Sequence, residues 1–266
     1  MPLRLDPTFR DRLAAADRPL AGMWVCSGSA LVAEIVAGGG VDWLLIDMEH
    51  SPNGLEPVLA QLQAVAAYPA APLVRVPIGD PVILKQVLDL GAQNILVPMV
   101  NTAEDARAVV EAVRYPPRGR RGVGSALARS ARWNRVDDYL VNADAHTSLY
   151  VQVETAEAVE NAGQIAAVDG VDGVFVGPSD LAASMGYIGQ QGHPEVVAAV
   201  QRAFGAVRAA GKPVGVNAFD SAAARAYADA GASFVLVAAD VAVLARATER
   251  VASDWGQAAA TDRASY

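Results

Sequence analysis

Eight short apolar runs, rich in β-branched residues and bounded by Gly, Pro, Asn or Asp, recur from one end of the chain to the other. They span residues 20–26, 42–48, 72–77, 94–100, 149–154, 173–177, 213–217 and 234–239. Runs of this length and composition read as buried strands. Between them lie stretches with apolar residues at helical spacing, at 30–39, 55–68, 80–91, 103–115, 156–168, 193–211 and 221–231, and 241–256 supplies a last helix. Several close on a glycine, as a left-handed cap prefers. Eight strands alternating with helices within 266 residues predict an α/β fold, a (β/α)8 barrel, as one domain. Residues 1–19 read as an N-terminal lead-in and 257–266 as a flexible tail. An open doubly wound sheet is the rival, but no Gly-x-Gly-x-x-Gly follows an early strand, and GVGSA at 122–126 falls in a long connection.

That connection, residues 115–147, is unusually long for a barrel loop. It reads as a solvated basic loop around a buried Trp133 or, following the fourth strand, as an active-site cover or subunit contact.

Composition excludes several function classes. The chain carries 29 acids against 21 bases, a formal charge of −8, which gives no electrostatic footprint for nucleic acid. No apolar run approaches the roughly 20 residues needed to cross a bilayer, so no membrane partner is expected. Cys26 is the only cysteine and sits in an apolar run, which makes it a small buried thiol and fits a reducing cytoplasm.

In a barrel, reactive side chains project from the C-terminal ends of the strands. That filter selects Asp47, Glu49 and His50 after the second strand, Arg75 in the third, Gln152 and Glu154 in the fifth, and Asp180 just after the sixth. Alternation along a strand puts Asp47 with Glu49, and Gln152 with Glu154, on one face. Each has an ordinary alternative. Asp180 could cap the helix that follows, Glu154 could pair with Arg75, and His50 could be a hydrogen-bonded loop residue. The convergence of acids, a base and a cation on one rim favours a functional cavity.

Two carboxylates from different strands, Glu154 and Asp180, with no nearby Cys or His pair, form a hard oxygen site suited to Mg2+ or Mn2+ rather than structural zinc. Two protein ligands leave positions for water and a chelating substrate such as a 2-oxo acid. Schiff-base chemistry is the rival. The chain has two lysines, Lys85 in the helix at 80–91, where it should face solvent, and Lys212 at the foot of the seventh strand. Neither offers a desolvated amine in the pocket, which favours metal-assisted enolisation.

The segments LLIDMEHSPN, LVRVP, NILVPMV, YPPRGRRGVGSALARSARW, VQVET and VDGVFVGPSDLAASMG, in this order, resemble the HpcH/HpaI aldolases of the class II 4-hydroxy-2-oxoheptanedioate type, across roughly residues 20–250. Related members include 2-dehydro-3-deoxyglucarate and 2-keto-3-deoxy-L-rhamnonate aldolases, within the phosphoenolpyruvate/pyruvate barrels. The resemblance implies a divalent-metal aldolase, using Mg2+ or Mn2+ with Co2+ as a further option, that cleaves 4-hydroxy-2-oxo acids to pyruvate and an aldehyde. Carried onto this chain, Glu154 and Asp180 match the metal ligands, and Arg75 the arginine on the keto or enolate oxygen. His50 matches the histidine of proton transfer, and Asp89 the acid paired with it. Asp47 and Glu49 match polar groups around the metal-bound water, and Gln152 a residue near the donor. Backbone amides at Ser179 and Asp180, opening a short helix, would receive the pyruvate carboxylate. The resemblance further implies a homo-oligomer, a hexamer built as a trimer of dimers, with the last helix open to exchange between protomers.

Asn217 in the seventh strand stands where an apolar residue would be expected. It could touch donor or acceptor, which leaves the choice between pyruvate and hydroxypyruvate open. Two other readings keep the same pocket: a citrate-lyase-like enzyme acting on a CoA ester, disfavoured by the scarcity of basic charge, and a catalytically silent 2-oxo acid binding protein.

Overall fold

The computed structural model describes residues 3–256. Eight parallel strands close into a barrel in chain order: β1 (Leu20–Val25), β2 (Trp43–Asp47), β3 (Ala71–Arg75), β4 (Asn94–Val97), β5 (Ser148–Val153), β6 (Gly173–Val176), β7 (Val214–Asn217) and β8 (Phe234–Ala239). The helices are α1 (Phe9–Ala15), α2 (Ala30–Ala37), α3 (Leu55–Ala64), α4 (Pro81–Asp89), α5 (Ala103–Val113), α6 (Tyr139–Asn142), α7 (Ala156–Ala166), α8 (Pro178–Ser184), α9 (Pro194–Ala209), α10 (Ser221–Asp229) and α11 (Asp240–Asp254). This is the (β/α)8 barrel that the alternating pattern predicts.

Alternation along each strand separates two cores. Outward residues such as Leu44, Ile46, Val74, Val151 and Val174 pack beneath the helices. Inward residues such as Trp43, Leu45, Leu73, Tyr150, Phe175 and Phe234 fill the barrel itself. The inward column changes character on climbing each strand. Along β2 it runs Trp43, Leu45, Asp47; along β3, Leu73 then Arg75; along β5, Tyr150 then Gln152. Apolar side chains therefore make a floor at the N-terminal end, and polar ones line the C-terminal rim. Gly22 and Gly215 make room for that floor, since a Cβ at either would collide with the ring of Trp43 or Phe234.

Helix starts follow local chemistry. Thr102 and Asp105 form a reciprocal capping box at α5, and Asp80 accepts from the Val82 and Ile83 amides at α4, with Pro81 in the first turn. Thr8 and Asp11 form the same box at α1. That helix falls inside the stretch that reads as a lead-in from sequence. At seven residues it is too short to show a helical period, yet it anchors the floor: Phe9 is fully buried, with its ring centroid 5.2 to 5.5 Å from those of Trp43, Tyr150 and Phe234. The tail expected at 257–266 lies outside the described residues.

The long connection requires a correction. It leaves the C-terminal end of α5 and enters β5, so it runs at the foot of the barrel and does not cover the rim of its own chain. Arg129 Nη1 donates to the Leu90 carbonyl just past α4, and the Leu3 amide to the Arg135 carbonyl. Nor is Trp133 buried; it is 52% exposed, with the Arg135 guanidinium 5.9 Å from its ring. The buried basic residue is Arg121, which lies 4.6 Å over the Tyr115 ring and pairs with Asp89 at 2.8 Å.

The last helix, α11, buries only its first residue, Asp240, whose carboxylate accepts from the amides of Cys26 and Ser27 at 2.8 and 3.1 Å. Beyond that anchor Val243, Leu244 and Val251 are exposed. No helix among the described residues is long and apolar enough to cross a membrane.

Candidate active site

The polar residues of the rim meet in one cavity of about 510 Å³, lined by Asp47, His50, Arg75, Gln152, Ser179, Asp180 and Asn217 together with Trp24, Cys26, Phe175 and Phe219. Seven of the eight staves contribute to its lining, all but β4. Registered pairing of β2 with β3 sets Asp47 opposite Arg75, and Asp47 Oδ1 accepts from Arg75 Nε at 2.8 Å. The chain then bends, so that the amides of Glu49 and His50 fold back onto the same Asp47 carboxylate at 3.0 and 3.2 Å. Glu49 Oε2 stands 2.8 Å from Arg75 Nη1, forming a second ion pair. Arg75 is buried, gripped by two acids, and lies 4.2 Å over the Trp24 ring. Burial pushes the Glu49 carboxyl above its usual range, with Arg75 and His50 opposing the shift.

His50 is exposed at 68% of its side chain, and its Nε2 lies 3.9 Å from Glu49 Oε1. The acid expected to pair with it, Asp89, is elsewhere. A barrel helix runs antiparallel to its strand, so the C-terminal end of α4 lies at the foot of the barrel, where Asp89 pairs with Arg121. Within one chain the carboxylate beside His50 is therefore Glu49.

Glu154 follows β5 directly and is buried. Gln152 Nε2 donates to its Oε2, and the Met99 amide donates to its Oε1 at 2.7 Å. Burial pushes the Glu154 carboxyl up to about 7; these two hydrogen bonds hold it down, while the charges of Asp180 and Glu49 add to the push. Glu154 does not pair with Arg75, whose partners are Asp47 and Glu49. Asp180 is exposed in the first turn of α8, and the cap position belongs to Gly177, so its carboxylate is not spent on a cap.

Glu154 and Asp180, neighbouring acids without an ion pair among the described residues, fit a divalent ion. The charge of Asp180 makes Glu154 harder to ionise, and a hard dication would relieve it. Among the described residues no cluster of three or more His, Cys, Asp or Glu is placed to hold a metal. Two carboxylates would thus leave most coordination positions to water and substrate. The other nucleophiles are accounted for. Burial pushes the Cys26 thiol up to about 12, leaving it a poor nucleophile. Lys212 Nζ donates to the Val171 carbonyl at 2.6 Å at the foot of the barrel. Lys85, half-buried on α4 rather than facing open solvent, does not line the cavity.

Sequence reasoning misses two supports of the site. Trp24 is legible in retrospect, because it continues the inward column of Leu20 and Gly22 up β1. Met99 carries no sequence signal. Its backbone takes a left-handed φ of 58°, rare for a residue with a side chain, and its amide reaches Glu154.

Residues 20–247 match the HpcH/HpaI aldolase/citrate lyase family. A 4-hydroxy-2-oxo-heptane-1,7-dioate aldolase of Salmonella dublin is 51% identical over 93% of this chain and 94% of its own length. The crystal structure of an HpcH/HpaI aldolase/citrate lyase family protein from Burkholderia cenocepacia superposes with a TM-score of 0.90 at 43% identity, covering 94% of this chain and 99% of that one. An HpcH/HpaI aldolase structure from Desulfitobacterium hafniense gives 0.86 at 27% identity, covering 94% and 97%. With its closed barrel, its rim of acids around one arginine and these relatives, this chain belongs to the HpcH/HpaI aldolase/citrate lyase family.

Proposed function

We propose that this protein is a divalent-metal-dependent aldolase that reversibly splits 4-hydroxy-2-oxo acids into pyruvate, or a close relative such as hydroxypyruvate, and an aldehyde. One observation carries the reading. Arg75 is locked between Asp47 and Glu49 on the face of Trp24, and shares its cavity with Asp180, beside the buried Glu154. Glu154 and Asp180 would hold the ion, Mg2+ or Mn2+ by the hardness of their oxygens, with Co2+ as a further option. Once bound, it would act as a Lewis acid on the 2-oxo acid.

The chain's own residues do the rest. Arg75 supplies a preorganised positive charge at the keto oxygen, where charge develops as an enolate forms. The amides of Ser179 and Asp180 at the start of α8 receive the substrate carboxylate, and Gln152 holds Glu154 in place. His50 takes the proton from the C4 hydroxyl in cleavage and returns it in addition, a role suited to imidazole, and Glu49 stands beside it. The test is turnover by purified protein of pyruvate with a panel of aldehydes, with Mg2+ or Mn2+ and with EDTA. Product that EDTA abolishes supports the aldolase. Binding of 2-oxo acids without turnover would point to the silent module instead.

The protein also assembles with copies of itself, in this reading as a trimer of dimers. The support is α11, a 15-residue helix that fully buries only its first residue and exposes Val243, Leu244 and Val251, as a helix that packs on a partner would. Sedimentation equilibrium gives the mass directly.

A further inference from the structure

Asn217 is the last residue of β7 and lines the active-site cavity and a neighbouring one. Its amide is held in one orientation. Trp24 Nε1 donates to Asn217 Oδ1 at 2.8 Å, and an indole nitrogen can only donate, so the oxygen of the amide must face it. The NH2 group is turned away, and no hydrogen bond uses it among the described residues. Trp24 is itself fixed, under Arg75 at 4.2 Å and edge-on to Phe175 at 6.4 Å between centroids. Two N–H donors therefore stand at a defined place on the cavity wall, held by a chain of contacts that ends at Arg75.

Their place in the ring says what they would read. Arg75, Glu154 and Asp180 come from β3 and from the ends of β5 and β6; Asn217 comes from β7, across the closed barrel from Arg75, and is tied to it through Trp24 of β1. The carbonyl carbon of a 2-oxo acid is planar, with three substituents pointing apart. If the two oxygen-bearing substituents face Arg75 and the acids, as in the reading above, the third, carbon 3, faces the remaining arc, where Asn217 stands. A methyl group there leaves the two donors without an acceptor. A hydroxyl satisfies one, and a site built to bond a hydroxyl discriminates strongly against the analogue that lacks it.

We propose that Asn217 is a specificity-determining residue that selects 2-oxo acid donors bearing a hydroxyl on carbon 3, hydroxypyruvate being the smallest, over pyruvate. The proposal rests on the aldolase reading, and its test separates the two. The measured quantity is the ratio of kcat/KM for hydroxypyruvate to that for pyruvate, with one aldehyde and Mn2+, alongside calorimetric Kd values for both donors. Wild type is compared with Asn217→Leu and Asn217→Asp, each checked for fold by circular dichroism. Leu can neither donate nor accept, whereas Asp keeps an acceptor for Trp24 and offers the hydroxyl a carboxylate oxygen in place of the N–H donors. Both ratios are expected to fall at least tenfold in Asn217→Leu and to be partly restored in Asn217→Asp. An unchanged ratio in Asn217→Leu would mean that Asn217 does not read carbon 3, and would overturn the proposal. If Asn217→Leu does not fold, Asn217→Ala decides. Absence of metal-dependent turnover in wild type with either donor would sink the aldolase reading, and the calorimetric ratio would still decide the role of Asn217.

Discussion

Asp47 and Arg75 face each other in register at the tops of β2 and β3, joined at 2.8 Å and both almost wholly out of contact with solvent. Asp47 also accepts the amides of Glu49 and His50, so one carboxylate orients the cation, the second acid and the imidazole together. Asp47→Ala leaves Arg75 with Glu49 alone. Breaking a buried pair of this kind costs about 3–5 kcal/mol, and urea unfolding should register a loss in that range together with a collapse of turnover. A loss below about 1 kcal/mol, the range of exposed pairs, would show that Arg75 is held by other means.

Glu154 sets a pH dependence whose sign follows from its raised folded-state value. In the unfolded chain this carboxyl gives up its proton near the usual 4.5, while the folded protein keeps it until about 7. The folded state thus binds more protons across that window, and the contribution of Glu154 to the stability of metal-free protein declines as pH rises through it. The full decline is on the order of 3 kcal/mol. Urea melts in EDTA at pH 5 and pH 8 should show that slope reduced in Glu154→Gln. Metal binding needs the carboxylate, so calorimetric affinity for Mn2+ should climb with pH up to about 7 and level off above it.

His50→Ala removes the exposed imidazole at the mouth without touching Glu154 or Asp180. Loss of a positioned general acid and base typically lowers rate by about 10²–10⁴. Turnover should fall into that range, with Mn2+ affinity by calorimetry close to wild type. Full turnover in the variant would remove His50 from the proton path.

Phe9→Ala takes the central ring out of the barrel floor. Phenylalanine to alanine in a packed core costs about 3–5 kcal/mol, and the amide of residue 9, which donates to Asn94 Oδ1 at 2.7 Å, remains to hold α1 in place. Chemical denaturation should show the loss. A cost under about 1 kcal/mol would mean that α1 is dispensable.

Leu244→Glu places a charge on the exposed side of α11, at a residue outside the cavity lining. If α11 packs on a second copy, sedimentation equilibrium should give a lower mass for the variant than for wild type. Equal masses would show that α11 is not part of the assembly.

The barrel and most of its rim are legible in the sequence because both rest on local periodicities. Alternation in WLLID puts Trp43 and Leu45 in the floor and Asp47 at the rim, and the same rule brings Gln152 to Glu154. What stays hidden depends on relations without a period. Asp89 is adjacent to a helix end in sequence, but the direction of α4 puts that end at the foot of the barrel, beside Arg121. The connection at 115–147 follows the fourth strand in order, yet it departs from α5 and so from the opposite face. Met99 contributes through an unusual backbone angle rather than through its side chain, and residue identity does not encode that.

The aromatic floor around Phe9 closes the barrel from below, which leaves the C-terminal rim as the open side of the cavity. Both fragments of a cleaved substrate have to leave by the way it entered, one after the other, past His50. If one fragment sits at the buried Arg75, as proposed, it is the deeper piece and should depart last, and an excess of it should block the enzyme against fresh substrate, whereas the outer piece should not.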